Sequence, residues 1–321
     1  MVAVCGVGYA AYSYLPAPRP AAVNAVAAAP AAQPQARAPR PRPLPGPAPL
    51  QARLDDIARA YGEPVGIAVH DIEDGWAASV RGDELFPQQS VSKTWVALAV
   101  LEAVDRGLLS IDSPVTMTLA DRSVFNQPLG RSLDADGFVG IRMGADERHL
   151  QARIAGLVWK QDYSEGRNFE AARARLDPQV RHEAMNAYLS DPIDGATPIA
   201  VVQALAALYR GEVLSPQSRA LLLKPMSNSR TGRARLRGGL PAGWTIAHKT
   251  GTGQDLGGAS IGINDVAILT APDGRTYAVA VFIRRTAKPV RERLAMMQAV
   301  TRALAENWRD TRKATHATPK V

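Results

Sequence analysis

The order of the strand-forming runs constrains this chain more than any other feature. Two runs lie early, VGIAVHDI at 65–72 and GWAASVRG at 75–82. Three lie late, TIAHKTG at 245–251, ASIGINDVAILTAP at 259–272 and TYAVAVFIRR at 276–285. Glu73-Asp74-Gly75 joins the early pair and Pro272-Asp273-Gly274 turns the last two, both hairpin signals. Residues 110–240 between them are mainly helical in pattern, with RHLQARIAGLVW, FEAARARL, PIAVVQALAALY and SPQSRALLLKPM as the clearest stretches. Helical spacing precedes the first strand at 51–61, where Leu54, Ile57 and Ala58 share a side, and follows the last at about 289–308. This order predicts an α+β fold: an antiparallel five-stranded sheet flanked by helices and split by a mainly helical subdomain, with both ends of the body packed on the same sheet.

The expected organisation has four parts. Residues 1–15, MVAVCGVGYAAYSYL, are apolar but short for a membrane span and lack the basic start of a signal peptide, as though a signal or anchor had been truncated. Residues 16–50 hold eleven of the 24 prolines in a stretch of Ala, Pro and Arg that cannot bury a core, and read as an extended linker. The body is 51–308, with its sheet part at 51–109 and 241–308 and its helical part at 110–240. Residues 309–321 form a basic tail. An apolar segment followed by such a spacer suggests a periplasmic or exported protein, with an N-terminal tether to a membrane as one form of it. The formal charge of +8 does not mark a nucleic-acid binder: the two ends supply +4 and +3, leaving +1 on the body. The single cysteine, Cys5, lies outside the body, so the body has neither a disulfide nor a thiolate metal site.

Two short stretches carry chemistry. In FPQQSVSKTWVALAVLEAVD, residues 86–105, Ser90 and Lys93 are three apart and share a helix face, so the amine can reach the hydroxyl. A serine at a helix N-terminus meets free N–H groups that favour developing negative charge. A desolvated lysine of lowered pKa beside it can accept the hydroxyl proton. In HKTGTGQ, residues 248–254, Lys249 offers a cation for a substrate carboxylate and Thr250 a hydroxyl beside it. Gly251 leaves the strand backbone open to substrate. The backbone N–H groups of Thr252 and Ser90 would form an oxyanion hole. Each stretch alone is also compatible with a surface serine–lysine pair or an ordinary hairpin strand.

Taken together and in this order, they make the chain resemble the penicillin-recognising serine enzymes, and most closely class A β-lactamases. The resemblance covers roughly residues 50–308. Besides the two stretches it includes DGATPIAVVQALAALYRGEVLSPQSRALL, TGRARLRGGLPAGWTIAHKTGTG and NDVAILTAPDGR. It implies a monomer that attacks a small β-lactam through an acyl-serine, with no metal and no cofactor. Catalytic groups would be Ser90 and Lys93, the substrate carboxylate meeting Lys249 and Thr250. A D-alanyl-D-alanine peptidase acting on peptidoglycan stem peptides would use the same residues. A catalytically impaired relative would bind without turnover.

The pattern has two gaps. No Ser-Asp-Asn occurs anywhere, and the nearest candidate, Ser164 with Asn168 in DYSEGRN, is displaced. Residues 130–150 cross the zone expected to carry that motif without a helix like the one that bears it. The Ω-loop glutamate that directs the deacylating water has a partial match in RHEAMNAYLSDPIDGATP, where Glu183 follows Arg181 at the family's spacing. A solvated helix glutamate is an equally good account of Glu183. Arg81-Gly82-Asp83 reads as a turn, Trp244 as packing, Arg284 and Arg285 as surface arginines. His70, His149 and His182 share no metal-ligand spacing.

Overall fold

The computed structural model describes residues 41–112, 141–142 and 146–317. The apolar N-terminal segment and most of the Pro/Ala-rich stretch therefore lie outside the described residues. Among the described residues there are nine strands: β1 (Leu44–Pro45), β2 (Val65–Asp71), β3 (Trp76–Val80), β4 (Phe86–Pro87), β5 (Gly195–Ala196), β6 (Thr245–Gly251), β7 (Asp255–Leu256), β8 (Ala259–Thr270) and β9 (Thr276–Thr286). The helices are α1 (Ala48–Tyr61), α2 (Lys93–Asp105), α3 (Glu147–Ile154), α4 (Asn168–Ala174), α5 (Pro178–Ser190), α6 (Pro198–Arg210), α7 (Pro216–Ser227) and α8 (Val290–Ala317).

The main sheet runs β1-β3-β2-β9-β8-β6. Its five long strands are antiparallel neighbours, as the sequence pattern predicts. Two dipeptide strands extend it: β1 lies parallel to β3, and β7 pairs with β8. Alternate residues of the central strands serve two different cores. Ile67, Val69, Val279, Val281 and Ile283 face Leu50 and Leu54 of α1 and Met297, Val300 and Leu304 of α8. Ala68, Ala278, Ala280 and Phe282 face Trp95 and Leu98 of α2, Val201 and Leu205 of α6, and Leu222 of α7. Three alanines on the second face hold the sheet surface low, so α6 can pack close with its own Val and Leu side chains. Each of these fully buried Val or Leu side chains is worth about 1.5–3 kcal/mol.

Caps and prolines fix the helical part. Thr197 accepts from the Ala200 N–H and Pro198 opens α6, which ends on Gly211 at φ 75°. Asp105, at the end of α2, accepts the Ser215 N–H and both the Ser215 and Ser218 hydroxyls. That knot joins α2 to the start of α7, and the three donors hold the Asp105 carboxyl below its usual range.

The structure departs from the sequence expectations at two places. Residues 44–50, read as linker, form β1 and the first turn of α1, because Gly46 and Leu44 donate to the Ala77 and Gly75 carbonyls at the sheet edge. The expected basic tail at 309–321 is largely helix, since α8 continues to Ala317. Of the two accounts of Glu183, the helical one fits: Asp177 caps and Pro178 opens α5, whose Met185, Tyr188 and Leu189 are buried. The stretch RHLQARIAGLVW, read as helical, does form α3, which Asp146 caps by accepting from the Arg148 and His149 N–H groups.

Candidate active site

The nucleophile candidate sits on a strained turn. Gln89 has φ 52°, a left-handed conformation for a residue with a Cβ, which costs about 1–3 kcal/mol and persists only where neighbours enforce it. Here they do. The Gln89 N–H donates to Asp194 Oδ2 at 2.8 Å, its Nε2 donates to the Tyr188 hydroxyl at 2.7 Å, and its Oε1 accepts from Gln151 Nε2 at 3.1 Å. Asp194 is sealed in with its second oxygen accepting from Tyr188 at 2.8 Å, and burial pushes its pKa up to about 6. The 3-10 turn Gln89–Val91 then leads into α2. Lys93 Nζ donates to Ser90 Oγ at 2.9 Å, so the helical spacing read from the sequence does bring amine and hydroxyl together.

Lys93 is not desolvated as expected. Its side chain is 31% exposed, and its ammonium also donates to Glu147 Oε2 at 2.9 Å. Glu147, 18% exposed, opens α3; its other oxygen accepts from Gln151 Nε2 at 3.1 Å. Gln151 is held in turn by Gln254, whose Nε2 donates to the Gln151 carbonyl and side-chain oxygens, both at 2.9 Å. Burial perturbs Lys249. Desolvation first, and the nearby charge of Lys93 second, bring its amine down to about 8.

The strand bearing Lys249 is clamped against the nucleophile turn. Asn264 on β8 is fully buried and donates through Nδ2 to the Pro87 and Gln88 carbonyls at 2.7 and 3.0 Å. Asn264 pairs with Gly251 across the sheet. A Cβ on Gly251 would collide with the Gln88 carbonyl oxygen and approach Asn264 Nδ2 to 3.0 Å. The missing side chain therefore makes room for the nucleophile turn itself, a closer constraint than the open substrate path expected from sequence. Among the described residues, neither the Ser90 nor the Thr252 N–H finds a backbone acceptor.

Thr250 is buried, and its hydroxyl pairs with that of Thr231 at 3.0 Å. Arg235 binds the end of the same strand: Nη1 donates to the Gly251 carbonyl at 2.8 Å and to that of Asn264 at 2.6 Å, and Nη2 donates to Thr252 Oγ1 at 2.7 Å. Burial lowers the pKa of this guanidinium.

Sequence reasoning missed Glu147, Gln151, Thr231 and Arg235. Thr231 and Arg235 lie in the TGRARLRGGL stretch, whose link to the strand shows only in three dimensions. For Glu147 the one local signal was the Asp146 cap followed by Glu147 and Gln151 four residues apart. Other residues fall elsewhere. Glu183 is exposed on α5 and accepts from Gln179 Nε2 at 2.9 Å, with neither Ser90 nor Lys93 among its partners. Ser164 closes a short turn by donating to the Gln161 carbonyl at 2.7 Å, and Asn168 donates to the Asp162 carbonyl. Arg284 lies over the Phe86 ring and pairs with Glu84, while Trp244 stacks on Tyr277. Among the described residues no three His, Cys, Asp or Glu side chains converge as metal ligands.

A family model described as the beta-lactamase enzyme family matches residues 49–128 and 159–308. The chain belongs to that family. The match leaves out 129–158, where α3 and Glu147 lie. A β-lactamase of Mycobacterium tuberculosis (strain H37Rv) is 30% identical over 245 residues, covering 74% of this chain and 78% of its own. The extended-spectrum β-lactamase PER-1 of Pseudomonas aeruginosa is 29% identical over 272 residues, covering 78% and 84%. Among solved structures, a β-lactamase from Chitinophaga pinensis superposes with a TM-score of 0.58 at 26% identity, over 81% of this chain and 99% of that one. An ancestral class A β-lactamase gives 0.54 at 27% identity, over 80% and 99%. The antiparallel sheet with its helical insertion is thus the family fold, and the chain is a serine hydrolase of the class A type.

Proposed function

We propose that this chain hydrolyses β-lactams through an acyl ester on Ser90. The observation that carries the reading is the 2.9 Å contact between Lys93 Nζ and Ser90 Oγ on a turn clamped to the Lys249 strand. Ser90 Oγ attacks the lactam carbonyl as its hydroxyl proton passes to the Lys93 amine. The Ser90 and Thr252 N–H groups donate to the developing oxyanion. The C–N bond then breaks and the ring nitrogen takes the proton that Lys93 has received. Water hydrolyses the resulting ester. Lys249, the Thr250 hydroxyl and Arg235 attract the substrate carboxylate, and Gly251 keeps the strand close enough to the turn for both sets of groups to act on one molecule. β-Lactamase relatives of similar length support the substrate class.

Export to the periplasm fits an apolar start followed by a Pro/Ala-rich spacer, and we extend the proposal to it. Among the described residues no helix is long and apolar enough to cross a membrane. The test is hydrolysis of a chromogenic cephalosporin by the purified chain, with a Ser90 adduct identified by mass spectrometry after penicillin. Ser90→Ala abolishes both. Absence of turnover together with absence of an adduct would sink the proposal. A stable adduct in a chain that cleaves D-alanyl-D-alanine stem peptides would instead assign it to the peptidases.

A further inference from the structure

We infer that Glu147 is the base that activates water for hydrolysis of the acyl-Ser90 ester, an inference that rests on the acyl-serine reading above. Ser90 Oγ and Glu147 Oε2 each lie 2.9 Å from the same nitrogen, so they are about 6 Å apart at most, a gap that one water can bridge. The carboxylate is accessible enough to hold that water, with 18% of the side chain exposed. It is also held in place. Oε2 accepts from Lys93 and Oε1 from Gln151, which Gln254 fixes and Gln89 ties to the nucleophile turn.

The other nearby carboxylates are committed elsewhere. Asp194, bonded to Tyr188 and the Gln89 N–H, is sealed away from water at 3% exposure. Asp265 is fully buried beside the equally buried His248, its oxygens accepting from the His248 ring and the Leu236 N–H. Glu183 is bonded to Gln179 on the exposed face of α5. Among the described residues, Glu147 is the carboxylate hydrogen-bonded to the lysine of the serine–lysine pair.

The step balances. Glu147 takes one proton from water as the water oxygen bonds to the ester carbonyl carbon, giving a tetrahedral oxyanion. Glu147 passes that proton to the Lys93 amine, Lys93 delivers a proton to Oγ as the bond from that carbon to Oγ breaks, and Lys93 and Glu147 are left as they began. The products are the opened acid and free Ser90.

Time-resolved mass spectrometry after mixing with penicillin tests it. In Glu147→Gln the Ser90 adduct forms within about tenfold of the native rate but decays about 100-fold or more slowly, the range for loss of a general base. A purely structural role would slow both halves or neither. Steady-state turnover of Glu147→Gln within threefold of native overturns the inference, as does loss of acylation itself. A persistent adduct in Glu183→Gln with normal decay in Glu147→Gln also overturns it. Should Glu147→Gln not fold, Glu147→Asp decides: the retained but shorter carboxylate slows adduct decay about tenfold, and native decay there refutes the role. A native chain that forms no adduct fails the Ser90 reading instead, and this inference with it.

Discussion

Replacing Lys249 by methionine should stabilise the fold while weakening substrate binding. In the folded chain the Lys249 amine is brought from 10.5 down to about 8, first by burial and then by the charge on Lys93. A lysine displaced that far costs the fold about 3 kcal/mol while it carries its charge. Below pH 8 both folded and unfolded chains hold the proton and the whole cost is present. Between 8 and 10.5 the folded chain has released it while the unfolded chain keeps it, so native stability rises with pH. Above 10.5 the cost is gone. Lys249→Met removes the charge at every pH but forfeits the 2.7 Å bond from Nζ to the Thr250 carbonyl, worth about 1 kcal/mol. The net expectation at pH 7 is a gain of about 1–2 kcal/mol. For a body of this size that is a rise in Tm of about 3–6 °C. At pH 10 the pH-dependent part should have shrunk to about 1 kcal/mol. The assay is parallel urea and thermal unfolding of both chains at the two pH values, so that other groups titrating over the range cancel. The KM for an anionic penicillin should rise about tenfold or more at pH 7, because the cation facing its carboxylate is missing. A variant no more stable than native at pH 7, or a stability difference identical at pH 7 and pH 10, would refute the reasoning.

Two further substitutions probe the clamp between strand and turn. Gly251→Ala places a methyl against the Gln88 carbonyl, and an enforced displacement of about 1 Å should lower kcat/KM about 100-fold, with KM and kcat measured separately. Asn264→Ala leaves the Pro87 and Gln88 carbonyls without their buried amide donor and should cost about 1–3 kcal/mol in chemical denaturation, with acylation slowed; unchanged stability would show the contact to be dispensable.

Much of the fold was legible because its signals are local. Alternating apolar residues marked the five long strands, and turn residues marked two of the hairpins. Helical spacing placed Ser90 under Lys93, and the contact follows from backbone geometry within one turn. Two segments were legible only in part. In α5 the Asp177 cap and Pro178 favour helix, but the Ω-loop reading of Glu183 stood beside it until burial of Met185, Tyr188 and Leu189 decided between them. In α3 the helical stretch was legible from residue 148, and the Asp146 cap sets where it starts.

The sequence by itself determined the five long strands, the serine–lysine pair and the identity of the Lys249 strand, since each depends on residues a few positions apart. Only the tertiary structure decided what surrounds them: Glu147 meets Lys93 from 54 residues away, Gln254 reaches Gln151 from 103, and Asn264 reaches Gln88 from 176. It also decided that burial acts on Lys249, with Lys93 left to an ion pair. The reason is physical. Periodicity reports which face of an element is apolar, whereas the partner of a polar side chain is set by how separate elements pack, and no local pattern encodes that distance.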